Sequence, residues 1–397
     1  MNDLAAQAEP QQTNEVRQAK QSAGATKGLI LSGGGARAAY QVGVLKAITD
    51  LLPNPHVNPF PVIIGTSAGA INAVSLACGA TYFSQAVQRL QDVWQGFSSD
   101  QVYRTDWPGV LNQARRFVWQ HLLGLGRGAP VALLDNSPLQ SLLQSKLNFA
   151  DIEQAFVQRA LSAIGITAFS YHSAQATTFF QSNKESVDAW HRYRRLGHET
   201  TLKLEHLLAS TAIPLMFPPV KIEHEYYGDG AVRQAAPISP ALHLGANKIL
   251  VVGVNSQHIY EEPPKYQQPT LAQIAAHLLS STFTDNLEKD LELLQRLNRL
   301  GTLLPQELRT KETGLAPVEV LVISPSRVID EIAARHRKQL PASMRLFLRG
   351  SGATRRTGGG VLSYLLFEKD YCRELIELGF QDAMKRKNEL QDFLELS

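Results

Sequence analysis

Cysteine is almost missing from this chain, which carries Cys78 and Cys372 and no other in 397 residues. Two cysteines so far apart build neither a disulfide framework nor a metal-ligand spacing, so nothing points to an oxidising compartment. Cys78, at the end of the apolar run Val74–Cys78, is expected to be a buried, inert thiol. Charge of one sign is also scarce. A formal net charge of +3 is too small to argue for a nucleic-acid partner, although it permits contact with an anionic surface. Long apolar runs are lacking too, and none reaches the length of a membrane-spanning helix. The first 26 residues, rich in Gln, Ala, Asn, Glu and Lys, contain no hydrophobic region of the signal-peptide kind and read as a disordered tail. These absences predict a cytoplasmic protein that meets membranes only peripherally.

What is present is apolar enough, at 44% hydrophobic residues, for a sizeable core in one large α/β domain with additions. Strand Lys27–Leu31 runs into Ser32-Gly33-Gly34-Gly35-Ala36-Arg37 and then a helix. Pro61-Val62-Ile63-Ile64 likewise runs into Gly65-Thr66-Ser67-Ala68-Gly69 and a helix of small residues. Two strand–loop–helix units in succession predict a parallel sheet, whose active sites gather beyond the carboxyl ends of the strands. Ala160–Ala168 and Ala176–Phe180 read as adjacent strands, and Val220–Ile222 with Glu225–Tyr227 as a hairpin leading into Gly228-Asp229-Gly230. Lys248–Val254 has the continuous apolar pattern of a buried parallel strand, and Val318–Ile323 reads as one more. Between residues 81 and 130 the chain is helical and aromatic. Its run Arg115–Leu123 fits a helix packed on the core or, less simply, a lipid interface. Glu261-Glu262-Pro263-Pro264 reads as a linker, Leu287, Leu291, Leu294 and Leu297 as one face of a packing helix, and Tyr364–Phe367 and Leu375-Ile376 as helical. The expected division is a tail over 1–26, a catalytic domain over 27–257 and a mostly helical C-terminal region over 258–397 packed on the core.

Three features need one chemical explanation. Gly65-Thr66-Ser67-Ala68-Gly69 has the G-x-S-x-G spacing that sets a serine on a strand-to-helix corner, although alone it is equally an ordinary turn. Gly33, Gly34 and Gly35 let backbone N–H groups converge without side chains in the way. The loop fits neither the dinucleotide nor the P-loop fingerprint, so a nucleotide reading fails. Asp229 is held between two glycines. A serine hydroxyl is a poor nucleophile until a base takes its proton, and the resulting oxyanion needs preorganised donors. Histidines follow the aspartate at His243, His258, His277 and His336, but none lies in a marked site, which favours a Ser67–Asp229 dyad over a triad.

Taken in order, these stretches resemble the patatin-like phospholipase family, whose pattern is G-G-G-x-R-G, then G-x-S-x-G, then D-G-A or D-G-G. Here they stand as Gly33-Gly34-Gly35-Ala36-Arg37-Ala38, Gly65–Gly69 and Asp229-Gly230-Ala231. Asp135–Leu139, Ala209–Pro214 and Phe217-Pro218-Pro219 are similar too, so the likeness runs from Lys27 to Val254. The resemblance implies a three-layer α/β/α sandwich with a mainly parallel sheet and a lipid acyl hydrolase of phospholipase A or lysophospholipase type. Ser67 is then the nucleophile, Asp229 the general base, Gly33, Gly34, Gly35, Ala36 and Arg37 the oxyanion loop, Gly65 and Gly69 the elbow and Gly230 the acid loop. Neither metal nor cofactor is implied, and the partner is a phospholipid or other acyl lipid. Arg37 fits a place beside the oxyanion, a hold on the loop, or a plain surface arginine. Ala38 departs from the family's glycine, at a cost of about 1–2 kcal/mol if the position needs positive φ. An esterase of soluble short-chain esters and a non-catalytic lipid- or protein-binding module are the rival readings.

Overall fold

A computed structural model describes residues 25–106, 132–183, 187, 189–234, 236–256, 271–303, 317–349 and 359–396. The expected tail up to residue 24, the segment with Trp107, Arg115–Leu123, Gly124, Gly126 and Gly128, and the linker Glu261–Pro264 lie outside the described residues.

The strands are Lys27–Leu31 (β1), Val62–Thr66 (β2), Ala163–Ser170 (β3), Ala176–Ser182 (β4), His191–Arg192 (β5), Arg195–Glu199 (β6), Val220–Ile222 (β7), Glu225–Asp229 (β8), Lys248–Val252 (β9) and Glu319–Ile323 (β10). They form one sheet in the order β10-β9-β1-β2-β3-β4-β6-β5, with the hairpin β7–β8 joined to β3. From β10 to β3 the neighbours are all parallel. β4 and β8 lie antiparallel to β3. The helices are Ala39–Leu51 (α1), Ala68–Cys78 (α2), Phe83–Gln95 (α3), Ser137–Lys146 (α4), Ala150–Val157 (α5), Leu204–Ser210 (α6), Ser239–His243 (α7), Leu271–Leu303 (α8), Ile329–His336 (α9), Ala342–Arg349 (α10), Gly359–Leu365 (α11), Lys369–Lys385 (α12) and Lys387–Leu394 (α13).

The central strands are buried at nearly every position because both faces are covered. Alternate residues point to opposite sides. Leu29, Leu31, Ile63, Leu250 and Val252 enter the larger core with residues of α1, α2, α3 and α12. Ile30, Val62, Ile64, Ile249 and Val251 enter a smaller one with α7, against which Leu287 and Leu291 of α8 pack. This is the expected sandwich of helices on both faces of a mainly parallel sheet. Leu294 is partly buried, but Leu297 faces solvent, so the apolar stripe of α8 gives out before its end. The helix at Tyr364 stops at Leu365. Phe367 leaves it to pack on Trp94, 6.2 Å between ring centres, and on Phe97 at 5.7 Å. Cys78 is partly rather than fully buried, and burial still pushes its thiol up to about 12, so it stays protonated. Among the described residues no helix is long and apolar enough to cross a membrane.

The chain beyond residue 257 adds β10 to the sheet and lays α12 across α1. The crossing is tight at two glycines. A Cβ on Gly43 would stand 1.9 Å from the carbonyl oxygen of Ile376, and one on Gly379 would stand 2.1 Å from that of Tyr40. Tyr40 is buried here, with its hydroxyl donating to Asp382 at 3.3 Å. Replacing Gly43 or Gly379 with Ala should therefore force the helices apart and destabilise the fold by about 1–3 kcal/mol, despite alanine's better helix propensity. Urea or thermal unfolding measures this, and a stabilised variant would contradict the packing described.

Candidate active site

β2 and β8 occupy one lane beside β3 and run toward each other. Thr66, the last residue of β2, pairs with Thr167, while Asp229, the last of β8, pairs with Ala168, the next residue of β3. Parallel and antiparallel pairing thus bring two chain ends head to head, and Ser67 and Asp229 meet at the join. Ser67 Oγ donates to Asp229 Oδ2 at 2.5 Å, and both residues are 1% exposed.

Each is fixed by its backbone. Ser67 adopts φ 55° and ψ −131° as it turns from β2 into α2. Such a conformation costs roughly 1–3 kcal/mol and holds only where the surroundings enforce it. Gly69 lets the first turn of α2 press on the end of β1, where a Cβ would stand 2.2 Å from the carbonyl oxygen of Leu31. Gly65 likewise lies against Ala70. Asp229 caps the 3-10 turn Gly230–Arg233, its Oδ1 accepting the Ala231 N–H at 2.9 Å. Gly230 passes close under Thr167, whose carbonyl a Cβ would meet at 2.0 Å.

The end of α6 joins both residues, a role that reading the sequence did not assign. Ser210 Oγ accepts the Ser67 N–H at 2.9 Å and donates to the Thr167 carbonyl at 2.6 Å. Two residues on, the Ala212 carbonyl accepts the Asp229 N–H at 2.9 Å. The only signal for this in the chain was the Ala209–Pro214 likeness, which said nothing of partners.

The glycine loop follows β1. Gly35 has φ 55° and opens the 3-10 turn Gly35–Ala38, in which Ala36 and Arg37 are buried. Gly35 lines the same cavity as Ser67. Ala38 has φ −64°, an ordinary helical value, so the family's glycine is not needed here and no strain arises. A buried amide relay ties this loop to the elbow helix. Trp94 Nε1 donates to Asn72 Oδ1 at 2.9 Å, and Asn72 Nδ2 donates to Gln41 Oε1 at 2.9 Å. Asn72 also donates to the Ala38 carbonyl at 3.2 Å, and Gln41 to that of Ser32 at 2.8 Å. Arg37 is no surface residue. It is 5% exposed, with its guanidinium directed into the C-terminal region.

Among the described residues no histidine contacts Ser67 or Asp229. The His243 ring lies flat on Trp190, 4.6 Å between centres, and His336 Nε2 meets Glu374 at 2.7 Å. His258 and the side chain of His277 lie outside the described residues.

From Ser67 an apolar cavity extends between three helices. Ile71 and Ser75 line it from α2, Leu90, Val93 and Trp94 from α3, and Leu139, Leu142, Leu143 and Lys146 from α4. Gly35, Phe217 and Phe367 line it as well.

A family model for patatin-like phospholipases matches residues 29–242, more than half of the chain. The chain belongs to that family. The matched span holds the elbow, the glycine loop and Asp229, and the sheet with its two helical layers is the patatin fold. No curated sequence matches the chain. Similar solved structures include human GIVD cytosolic phospholipase A2, at 11% identity and a TM-score of 0.44 over 96% of this chain and 62% of that one. VipD from Legionella pneumophila follows at 13% identity and a TM-score of 0.32, covering 90% and 67%. ExoU of Pseudomonas aeruginosa, crystallised with SpcU, has 16% identity and a TM-score of 0.26, covering 86% and 70%.

In this patatin-like chain, burial pushes the Asp229 carboxyl up to about 7, against the pull of its hydrogen bonds from Ser67 and the Ala231 N–H. The folded state therefore holds this proton more tightly than the unfolded chain, whose value is 3.8. The stability this contributes is complete below about pH 4 and is lost as pH rises through about 7. An asparagine carries no such penalty. Asp229→Asn should gain on wild type between pH 4 and pH 8.5, by on the order of 4 kcal/mol at most. Urea unfolding at the two pH values checks this, and a pH-independent difference would contradict it.

Proposed function

We propose that the protein is a lipid acyl hydrolase of phospholipase A or lysophospholipase type, working through Ser67 and Asp229. The observation that carries the reading is the 2.5 Å hydrogen bond between these two buried side chains, of which Ser67 lines an apolar cavity. Asp229 takes the Ser67 proton as Oγ attacks the ester carbonyl carbon. The oxyanion of the tetrahedral intermediate faces the N–H groups of the Gly33–Gly35 run, the Arg37 N–H being taken by the Gly34 carbonyl. Collapse breaks the bond to the alcohol oxygen, which receives the proton from Asp229 and leaves as the lyso product. Water, giving its proton to the same carboxylate, then attacks the acyl-enzyme, and as the bond to Ser67 Oγ breaks the carboxyl returns that proton to Oγ and the fatty acid leaves. A carboxyl poised at about 7 suits both directions of transfer near neutral pH.

The cavity favours a long acyl group over a soluble short-chain ester. Ser67, Ile71 and Ser75 succeed one another along one face of α2, so the cavity follows the helix for about 12 Å. An extended hydrocarbon advances roughly 1.3 Å per carbon, so about nine carbons fit alongside. Because such a substrate resides in a lipid phase, the reading includes peripheral contact with a lipid surface.

On a nitrophenyl ester series, kcat/KM should rise about fourfold per added methylene, from about 0.8 kcal/mol of burial each, and level off beyond about nine carbons. Ser67→Ala and Asp229→Asn should each abolish turnover. The wild-type rate should fall on the acid side of about pH 7, where Asp229 is protonated and can no longer accept a proton. Liposomes whose lipid profile is the same after treatment with wild type and with Ser67→Ala would count decisively against the phospholipase reading.

A further inference from the structure

The family model ends at residue 242, yet Asn255, Asp330, Gly360, Ser363 and Tyr364, five residues in contact with the Arg37 side chain, all lie beyond that point. Arg37 Nε donates to Ser363 Oγ at 2.9 Å, and Nη2 donates to Asp330 Oδ1 at 2.6 Å. Nη1 donates to Asn255 Oδ1, and the guanidinium lies over the Tyr364 ring, 4.0 Å from its centre. The Ser363 hydroxyl in turn lies 2.9 Å from the same Asp330 oxygen. With the Gly360 carbonyl, which accepts from Nη2 at 3.4 Å, five residues from the loop after β9, from α9 and from α11 thus grip one planar group from its edges and one face. A lysine, with a compact point charge, has no equivalent of that fit.

The grip falls on the glycine loop itself. The Arg37 N–H closes the loop on the Gly34 carbonyl at 3.2 Å, so the arginine backbone is part of the turn that its side chain anchors. Gly35, at φ 55°, is pressed against α11, where a Cβ would lie 2.3 Å from the Tyr364 carbonyl oxygen. Side chain and backbone are therefore held by the same C-terminal helix. The Arg37 side chain is 6% exposed and that of Asp330 is 32% exposed, so the charge pair is shielded from water mainly on the arginine side. An oxyanion site stabilises charge only as well as its donors are fixed in advance.

We infer that Asp330 and Ser363 are positioning residues that act through Arg37 to hold the Gly33–Arg37 loop, so that the C-terminal region completes the oxyanion site rather than decorating the catalytic domain. The inference rests on the hydrolase reading above. Neither residue touches substrate. Their loss should weaken transition-state stabilisation while leaving the acyl cavity and the Ser67–Asp229 pair in place.

The test uses the full chain, wild type against Asp330→Asn, on a soluble nitrophenyl ester, with rates expressed per serine titrated by a fluorophosphonate. The expected result is a fall in kcat of about ten- to a hundredfold with KM within about threefold. The inhibition constant of an alkyl trifluoromethyl ketone, which needs the oxyanion donors, should rise by the factor by which kcat/KM falls. Affinity for a simple fatty acid should stay constant, and so should the acid limb near pH 7. A purely structural role would lower the titratable fraction and leave both constants unchanged per site, which overturns the inference. Should Asp330→Asn fail to fold, Ser363→Ala must show the same paired change at smaller size, and its absence overturns the inference equally. Ester turnover that is the same in wild type and Ser67→Ala would overturn the hydrolase reading and this inference with it. Wild-type turnover lost in Ser67→Ala, with Asp330→Asn and Ser363→Ala both unaltered, would overturn this inference alone.

Discussion

The structure depends on two strand ends sharing one lane of a sheet. β3 is long enough to pair with β2 along its first residues and with β8 along its last, and the two partners approach from opposite directions. Neither can continue without displacing the other, so both turn out of the sheet where they meet. β2 does so through the positive-φ conformation of Ser67, and β8 does so through the Gly230–Arg233 turn. The hydrogen bond between Ser67 and Asp229 is thus a consequence of strand pairing. Hydroxyl and carboxylate are placed by main chain that has little freedom to move, with Ser210 and Ala212 fastening both from the adjacent helix end.

Burying a carboxylate is unfavourable, and the surroundings offset only part of the cost. Asp229 receives one N–H and one O–H, which leaves its proton affinity raised to about 7. The surrounding polar groups are treated differently. Asn72, Gln41 and Trp94 are each paired within a relay that, among the described residues, includes neither Ser67 nor Asp229, and that relay holds the glycine loop against α2. Rigid polar scaffolding thus surrounds one deliberately under-solvated acid. The apolar cavity running away from it along α2 extends the same low-dielectric environment.

The C-terminal region belongs to this arrangement. β10 extends the parallel sheet, α12 is seated on α1 through Gly43 and Gly379, and Arg37 is anchored by Asp330 and Ser363. The helix and arginine contacts join residues about three hundred positions apart, so they create no local pattern that a linear reading detects. Arg37 shows this well. As a letter in a glycine loop it fitted three roles, and only its 5% exposure and its partners separated them.

Several things were legible in the chain because they are local. The continuous apolar runs of β1, β2 and β9 require cover on both faces, and the glycines around Ser67 require a corner where a side chain will not fit. The scarcity of histidine in marked sites also turned attention to Asp229 as the partner of Ser67. Other features waited for the tertiary structure. Ser210, Asn72 and Gln41 are ordinary polar residues whose meaning lies entirely in what they face. The helical φ of Ala38 shows that the family's glycine was not a steric necessity here, and Phe367 left its expected helix to fill an aromatic cluster with Trp94 and Phe97. The residue types and the turns follow from local sterics and periodicity, so the sequence by itself determined them. Which groups meet, how deeply they are buried and what proton affinity results depend on contacts between distant segments, and only the folded chain decided those.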